Sequence, residues 1–232
     1  MNNNQKKFNG VLTVVLIIVV VLIIVIGAFW GVTAYKNKKL NDDGSSAAEQ
    51  FEENVTRGRS SRRSGNTTES NGIGDINIDL NASAGNTSQS SSSGYEVAAQ
   101  TYKGYAMVGT IEIPSIKLKY PVLDRATKMS MEVSVGLVYG KLNQVGNATI
   151  MGHNYRNGTF FSNLKNVEIG DKIYITDTSG LKVEYIVYDM YQTSSTDFGY
   201  AQRDTAGKRE VSLSTCTDDV KARLIVCAKE VE

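Results

Sequence analysis

The sequence has little histidine and little cysteine, and its charges nearly cancel. Its 232 residues include one histidine, His153, and two cysteines, Cys216 and Cys227, with a formal net charge of +1. A structural zinc site takes about four Cys or His ligands, so that class of site is excluded. The C-terminal half has no basic helix and no interleaved aromatic patch of the kind that binds nucleic acid, and we expect no nucleic-acid partner.

The two cysteines could form one disulfide, since their spacing does not forbid it. We expect two free thiols rather than this bridge, which would consume any reactive thiol at Cys216. Cys227 alternates with Ile225 and Arg223 on one face of a predicted strand. This position favours a packed structural thiol, because free cysteine behaves as a small apolar residue.

The N-terminal region contains a long uncharged run. Residues 8–35 carry no charged side chain, and Val11 to Trp30 supplies the roughly 20 apolar residues that cross a bilayer. A buried core helix or a cleaved signal peptide is the alternative, but the run is longer than a usual signal-peptide core and no small-x-small site follows it. We predict a short N-terminal segment over residues 1–10 and a transmembrane anchor over residues 11–35. Lysines lie on both sides of the span, so their count does not decide its orientation.

The next segment, residues 36–100, is predicted to be a flexible linker. No aromatic residue occurs between Phe51 and Tyr95, and Ser, Asn, Gly and Thr dominate. Such a composition buries too little apolar surface to offset the entropy of ordering. One short helix is expected around "SSAAEQFEENV". The folded domain is predicted over residues 101–232.

This domain is predicted to be mainly β. Its strand-like runs are rich in Val, Ile, Tyr and Thr and are separated by turn residues; they are "MVGTIEIP", "YPVLD", "NATIMG", "KIYIT", "KVEYIVYDMYQT", "REVSLST" and "ARLIVCAKEV". The stretches "ATKMSMEVSV" and "GTFFSNLKNV" could be short helices. Many short strands with few helices indicate a barrel or a sandwich.

Three residues of this domain could form a catalytic site at strand ends. Cys216 ends a strand, His153 follows one, and Arg223 begins the last one. A cysteine nucleophile needs a group that handles protons and a donor that stabilises the oxyanion, and His and Arg can fill these roles. Taken singly, each has a plainer interpretation: a packed thiol, a turn histidine and a solvated edge charge.

The combination resembles the sortases, which are membrane-anchored cysteine transpeptidases of mainly Gram-positive bacteria. The motifs are "GHN" followed by "FFSNL", "LSTC" at 213–216, Arg223 a short way on, and the opening "GTIEIPSIKLKYPVLD". The resemblance implies an eight-stranded sortase-type β-barrel with short helices, preceded by one transmembrane helix and a flexible linker. It also implies Cys216 as nucleophile, His153 as general acid/base, and Arg223 as the residue that stabilises the oxyanion or positions substrate.

The same resemblance implies the reaction and its partners. The family cuts a C-terminal LPxTG-type sorting signal of secreted proteins through a thioacyl-enzyme, which an amine of a peptidoglycan precursor or a pilin lysine then resolves. The catalytic domain would lie outside the cell membrane and the N-terminus inside. The loop 193–210 would lie where the family contacts substrate. No cofactor is implied.

Some features depart from the family or leave its subclass open. Ser212 stands where the family's TLxTC signature usually has Thr. The short separation of His153 and Cys216 suits the compact classes A, D or E, whereas "GHN…FFSNL" and "LSTCT" are also similar to class B. No acidic cluster precedes "NATIMG", so we expect no calcium site. Asp218 and Asp219 could orient His153, although a solvated loop is the plainer interpretation.

Two other functions remain open from the sequence. A cysteine hydrolase could use the same Cys, His and Arg residues, with water resolving the thioacyl intermediate. A membrane-anchored β-barrel adaptor with a vestigial site would need no chemistry at Cys216.

Overall fold

The computed structural model describes residues 3–64 and 99–231. The first range forms one helix, α1, which runs from Asn3 to Ser64. The second range forms nine strands, which are β1 Thr101–Tyr102, β2 Tyr105–Ile113, β3 Leu118–Leu123, β4 Val135–Tyr139, β5 Gly146–Met151, β6 Lys172–Asp177, β7 Lys182–Ser194, β8 Arg209–Cys216 and β9 Ala222–Glu230. Single 3₁₀ turns at Pro114–Ile116, Ser130–Glu132, Leu164–Asn166 and Gly199–Ala201 join some of them.

Eight of these strands close into a barrel. The hydrogen-bonded order is β2-β3-β4-β5-β8-β9-β7-β6, and β6 pairs back onto β2. The two-residue β1 adds to β2 outside this ring. Most pairs are antiparallel, but β3 with β4 and β5 with β8 are parallel. The predicted mainly β, eight-stranded barrel is therefore confirmed.

Alternation along the strands fills the barrel interior. Inward side chains include Ile111 on β2, Ile175 on β6, Leu213 on β8 and Val226 on β9, all fully buried. Because successive side chains of a strand point to opposite faces, the residues between them lie on the outer face. This alternation decides which side chains of β8 and β9 can reach the surface.

Each of the seven predicted strand runs contains a strand, but the two-residue β1 and the five-residue β4 were not predicted. The segment 126–135 was expected to be helical, and the structure has only the 3₁₀ turn Ser130–Glu132 before β4 begins. Ser130 explains the difference, because its hydroxyl accepts the amide of Thr127 and donates to the carbonyl of Arg125. Such bonds compete with those of a helix.

The second expected helix, over 158–167, is also reduced to one 3₁₀ turn, Leu164–Asn166. The Asn157 carboxamide accepts both the amide and the hydroxyl of Thr159, which favours a turn. Phe160 then has φ +49°, in the left-handed region. A helix cannot pass through that residue.

Helix α1 contains the predicted span and extends well beyond it. Its most apolar stretch has a mean hydropathy of 3.2 and none of that stretch is buried, so the helix could cross a membrane by length and composition. The expectation of a flexible segment from residue 36 is wrong as far as Ser64, because the helix continues to that residue. The short helix expected around "SSAAEQFEENV" is part of it. The rest of the predicted linker, residues 65–98, lies outside the described residues.

The helix continues because one of its faces packs on the barrel. Ala48, Phe51 and Val55 are buried there, with Phe51 only 1% exposed. Phe51 and Val55 belong to an apolar cluster with residues of the barrel, which are Tyr102, Met107 and Leu123. Burying a Val or Phe side chain stabilises by about 1.5–3 kcal/mol. Packing of this kind fixes a helix that its own composition would leave marginal.

We expect Phe51→Ala to lower the free energy of unfolding by about 3–5 kcal/mol, because it removes a fully buried ring from the contact between α1 and the barrel. Gln50→Ala is the matched control, since Gln50 is the exposed neighbour on the same helix. Urea unfolding of the detergent-solubilised chain would measure both. Equal stability of the two variants would contradict the packing of α1 on the barrel.

Candidate active site

Strand β8 carries Cys216 at its end, between β5 and β9. Val211 and Leu213 point into the barrel core. Ser212, Ser214 and Cys216 therefore share the outer face. Cys216 is partly exposed and is a free cysteine, as is the buried Cys227. The expected free thiols are thus observed, and Cys227 packs with Tyr200, Ala201 and Ile225.

Arg223 lies directly across from Cys216. The antiparallel register of β8 and β9 pairs Cys216 with Arg223, just as it pairs Ser212 with Cys227. Directly opposed residues of such a pair have Cβ atoms about 4.5–5.5 Å apart. The strand pairing alone therefore brings the arginine next to the thiol.

Three contacts hold the Arg223 guanidinium. Nε donates to the carbonyl of Ser195 at 3.1 Å, and one terminal nitrogen lies 3.6 Å from the sulfur of Met151. The ring of Phe198 lies 5.4 Å from the guanidinium carbon, a cation–π distance. Arginine has five N–H donors in all, so these contacts leave donor capacity for a ligand.

His153 follows β5, whose parallel register on β8 pairs Met151 with Ser214. The residues on both sides of His153 are bonded to β8. The amide of Gly152 donates to Ser214 at 3.2 Å, and the Thr215 hydroxyl donates to the Gly152 carbonyl at 2.8 Å. On the other side, the Asn154 carboxamide donates to the carbonyl of Cys216 at 3.0 Å.

Gly152 allows this close approach. A Cβ at this position would lie 2.8 Å from Val135 and 2.9 Å from the Phe161 ring, so a larger residue would push the His153 segment away from the barrel. The glycine of the "GHN" motif is thus needed for close packing against Val135 and Phe161, and the asparagine is needed for the hydrogen bond to the Cys216 carbonyl.

The surroundings of His153 favour its neutral form. Burial lowers the pKa of the imidazole, and the carboxylate of Glu132 opposes this effect without cancelling it. The imidazole ring lies 4.9 Å from the ring of Tyr155. A charged imidazolium is therefore harder to form here than in water.

Asp218 and Asp219 serve the loop rather than His153. Asp218 accepts from Lys165 at 2.5 Å and from Asn154 at 2.9 Å, and the bond from Lys165 is the main reason its pKa is lowered. Asp219 accepts from the Thr217 hydroxyl at 2.5 Å. Asp218 thus ties the loop after Cys216 to the loop after His153, which narrows the movement of both.

A groove of about 420 Å³ opens at Cys216. It is lined by Asn154, Lys165, Gln192, Thr215, Cys216, Thr217, Asp218, Asp219 and Leu224. His153 and Arg223 are not among these lining residues, although the strand registers place them at the same end of the barrel. Over residues 3–64 and 99–231, no group of three or more His, Cys, Asp or Glu is arranged to hold a metal ion.

The sequence predicted His153, Cys216 and Arg223 but missed what surrounds them. Ser195 and Phe198, which hold Arg223, lie in the loop after β7, and Glu132 lies in the 3₁₀ turn before β4. Their roles depend on contacts between distant parts of the chain. Among the surrounding residues, only Asn154 could have been found from the sequence, because it is part of the "GHN" motif.

Comparisons with known proteins agree with this architecture. A family model described as a Sortase domain matches residues 111–231. The chain is 33% identical over 125 residues to a protein named sortase A of Bacillus anthracis, covering 52% of this chain and 57% of that one. A sortase A of Listeria monocytogenes is 30% identical over 138 residues, covering 58% and 55%. The chain thus matches little more than half the length of these curated relatives.

Solved structures give the same family at lower identity. A sortase D5 transpeptidase of Clostridium perfringens superposes with a TM-score of 0.50 at 26% identity, covering 54% of this chain and 79% of that one. Sortase C1 of Streptococcus suis also gives 0.50, at 25% identity, covering 54% and 73%. Since the family model covers more than half of the chain and the barrel has the same fold, the chain belongs to the sortase family.

Proposed function

We propose that this chain is a membrane-anchored cysteine transpeptidase. It would cleave a C-terminal LPxTG-like sorting signal of secreted proteins and transfer them to an amino group of a peptidoglycan precursor or a pilin. The catalytic domain would be extracytoplasmic, with the N-terminus of the single-pass helix inside. The proposal rests mainly on the strand register that sets Cys216 opposite Arg223. In addition, Asn154, which is next to His153, donates a hydrogen bond to the Cys216 carbonyl.

The chemistry starts with the protonation states. In the neutral form His153 can accept the thiol proton of Cys216, which creates a thiolate beside an imidazolium. With ordinary pKa values of about 8.5 for Cys and 6.5 for His, the neutral pair outweighs this ion pair by roughly a hundredfold. The lowered pKa of His153 widens this gap, and the positive charge of Arg223 works against it.

In the acylation step, the Cys216 sulfur attacks the carbonyl carbon of the sorting signal's threonine. The developing oxyanion accepts a hydrogen bond from an N–H of Arg223, and the guanidinium keeps its proton throughout. As the C–N bond breaks, the His153 imidazolium gives its proton to the leaving amine. The acyl group remains on sulfur as a thioester.

In the second step an amine replaces the sulfur. Neutral His153 takes a proton from the incoming amine while that amine attacks the thioester carbonyl, and the Cys216 thiolate leaves. The product is a new amide bond. Water in place of the amine would give hydrolysis, which separates a transpeptidase from a cysteine hydrolase.

An amine acceptor such as triglycine should accelerate turnover of an LPxTG-type peptide and yield a ligated product, seen by mass spectrometry. Cys216→Ala should lose at least about 10³-fold in rate and form no thioacyl adduct. Cys227→Ala is the matched control and should retain the reaction, because that thiol is packed beneath the loop after β7. Hydrolysis unaffected by amine would argue for the hydrolase, and full cellular activity of Cys216→Ala would argue for an adaptor.

Arg223→Lys should reduce kcat/KM by about 10²–10³-fold, since an ammonium lacks the planar fork that both contacts Phe198 and donates to the oxyanion. Arg125→Lys is the control, because its side chain is 84% exposed and pairs only weakly with Asp124. Steady-state kinetics on the same peptide would test it. Near-normal kinetics of Arg223→Lys would remove this residue from the reaction.

The pH profile of kcat/KM should be bell-shaped, with its acid limb set by His153. Glu132→Gln removes a negative charge that favours the imidazolium, so the pKa of His153 should fall further. The acid limb should then move to lower pH, and the maximum should drop because less thiolate–imidazolium pair exists. Glu168→Gln, at an exposed glutamate, should leave the profile in place. An acid limb that moves upward in Glu132→Gln would contradict the assignment of that limb to His153.

A further inference from the structure

The contacts between α1 and the barrel follow a fixed order along the helix. Nearest the apolar run, Asn37 and Asn157 exchange two hydrogen bonds, at 3.4 and 3.2 Å. One turn later, Asn41 donates to the carbonyl of Gly158 at 3.2 Å. Asn157 and Gly158 belong to the loop that begins at His153. At the far end of the contact, Arg59 donates to the carbonyl of Gly180, between β6 and β7, at 3.1 Å.

This order fixes which end of the barrel is nearest the apolar run. At about 1.5 Å per residue, Asn37 lies roughly 10 Å along the axis from Trp30, and Arg59 lies roughly 44 Å from it. The barrel therefore stands beside the helix with the His153 loop at the near end. The turn at Gly180 is at the far end.

The contact is continuous, so the helix and the barrel form one body. Six of the residues facing the barrel recur with a heptad-like spacing, and they are Asn37, Asn41, Gly44, Ala48, Phe51 and Val55. At Gly44 the ring of Tyr120 packs so closely that a Cβ would lie 2.6 Å from it. The Tyr120 hydroxyl donates to Asn41.

A polar contact fixes the middle of the same interface. The Glu52 carboxylate accepts the hydroxyl of Thr110 at 2.7 Å and that of Thr176 at 3.3 Å. It also pairs with Lys119 at 3.2 Å. One helix residue is thereby bonded to β2, β3 and β6, and sliding of the helix along the barrel would break all three contacts.

Side chains suited to a membrane surface lie between the apolar run and the first barrel contact. Trp30 and Tyr35 are exposed, and Lys36, Lys38 and Lys39 follow. Aromatic residues favour the bilayer interface, and lysines near it are attracted to anionic headgroups. The headgroup layer would thus reach close to the loop that contains Asn157.

We propose that α1 is a rigid spacer that holds the site-bearing end of the barrel against the bilayer surface at a fixed height. The inference rests on the proposed function, because it takes α1 as the membrane anchor and Cys216 as the nucleophile. A fixed height restricts which membrane-held substrates can react. In such a substrate, the scissile bond must lie at one set distance from the substrate's own membrane span.

The test measures that distance with the full chain in liposomes of zwitterionic and anionic lipids. Substrates carry the same LPxTG-type peptide at increasing spacer lengths from a transmembrane helix. A soluble copy of the peptide reports the chemistry alone. The wild-type rate should have an optimum spacer length.

A helical insert of seven residues between Lys36 and Asn37 keeps the packing face in phase and lifts the barrel by about 10 Å. The optimum spacer should lengthen by about three extended residues, at about 3.3–3.4 Å each. The rate on the wild-type optimum should fall about tenfold or more, while the soluble-peptide rate stays unchanged. A flexible Gly/Ser insert of equal length should flatten the optimum instead.

Gly44→Leu and Gly31→Leu form a matched pair within α1. A Cβ at Gly44 meets the Tyr120 ring, whereas one at Gly31 meets nothing within 4 Å. Gly44→Leu should broaden the dependence on spacer length, and Gly31→Leu should leave it unchanged.

An optimum that does not move with the helical insert, or a wild-type rate that is independent of spacer length, would overturn the rigid spacer. Failure of the wild type on the soluble peptide would instead count against the proposed function. The two results are read from different substrates and are therefore distinguishable.

Discussion

The parallel pairing of β5 with β8 is the constraint on which the candidate site depends. Its register sets Met151 opposite Ser214, so the chain leaving β5 passes beside the end of β8. A slip of β8 by one residue against both β5 and β9 would turn Cys216 from the outer face to the core and separate it from Arg223. The bonds at Gly152, Thr215 and Asn154 extend this register past the end of the strands, where no ladder would otherwise hold the two loops together.

The charges of the site follow from this arrangement. Arg223 is held by Ser195 and Phe198 from a loop that itself packs on Ile225 and Cys227 of the outer face. Its charge is permanent, whereas that of His153 is disfavoured by burial. This difference between Arg223 and His153 suits a reaction in which the arginine stays cationic and the histidine both accepts and donates a proton. The partial exposure of Cys216 leaves its sulfur open to the groove.

The strands and the three candidate residues could be predicted from the sequence because alternation and motif are local signals. Strand β4 could not, since its five residues follow a Ser- and Met-rich stretch that has no alternation. The packing of α1 was missed for a related reason. Of the six residues in the heptad-like row that faces the barrel, Asn37, Asn41, Gly44 and Ala48 are polar or small, so only Phe51 and Val55 gave an apolar signal. The contacts of Arg223 depend on residues brought close by the fold.

The folded unit includes the part of α1 that packs on the barrel as well as the barrel itself. A barrel cut at residue 95 would lose Phe51 and Val55 and uncover Tyr102, Met107 and Leu123, which these side chains bury. It would also leave Thr110, Thr176 and Lys119 without Glu52, and Tyr120 without Asn41. Tyr120 lies 5.3 Å from Phe160, whose amide it binds, and Phe160 is in the His153 loop. The unit that holds His153 in place therefore begins at Asn37, and the long apolar helix and the barrel are parts of one structure.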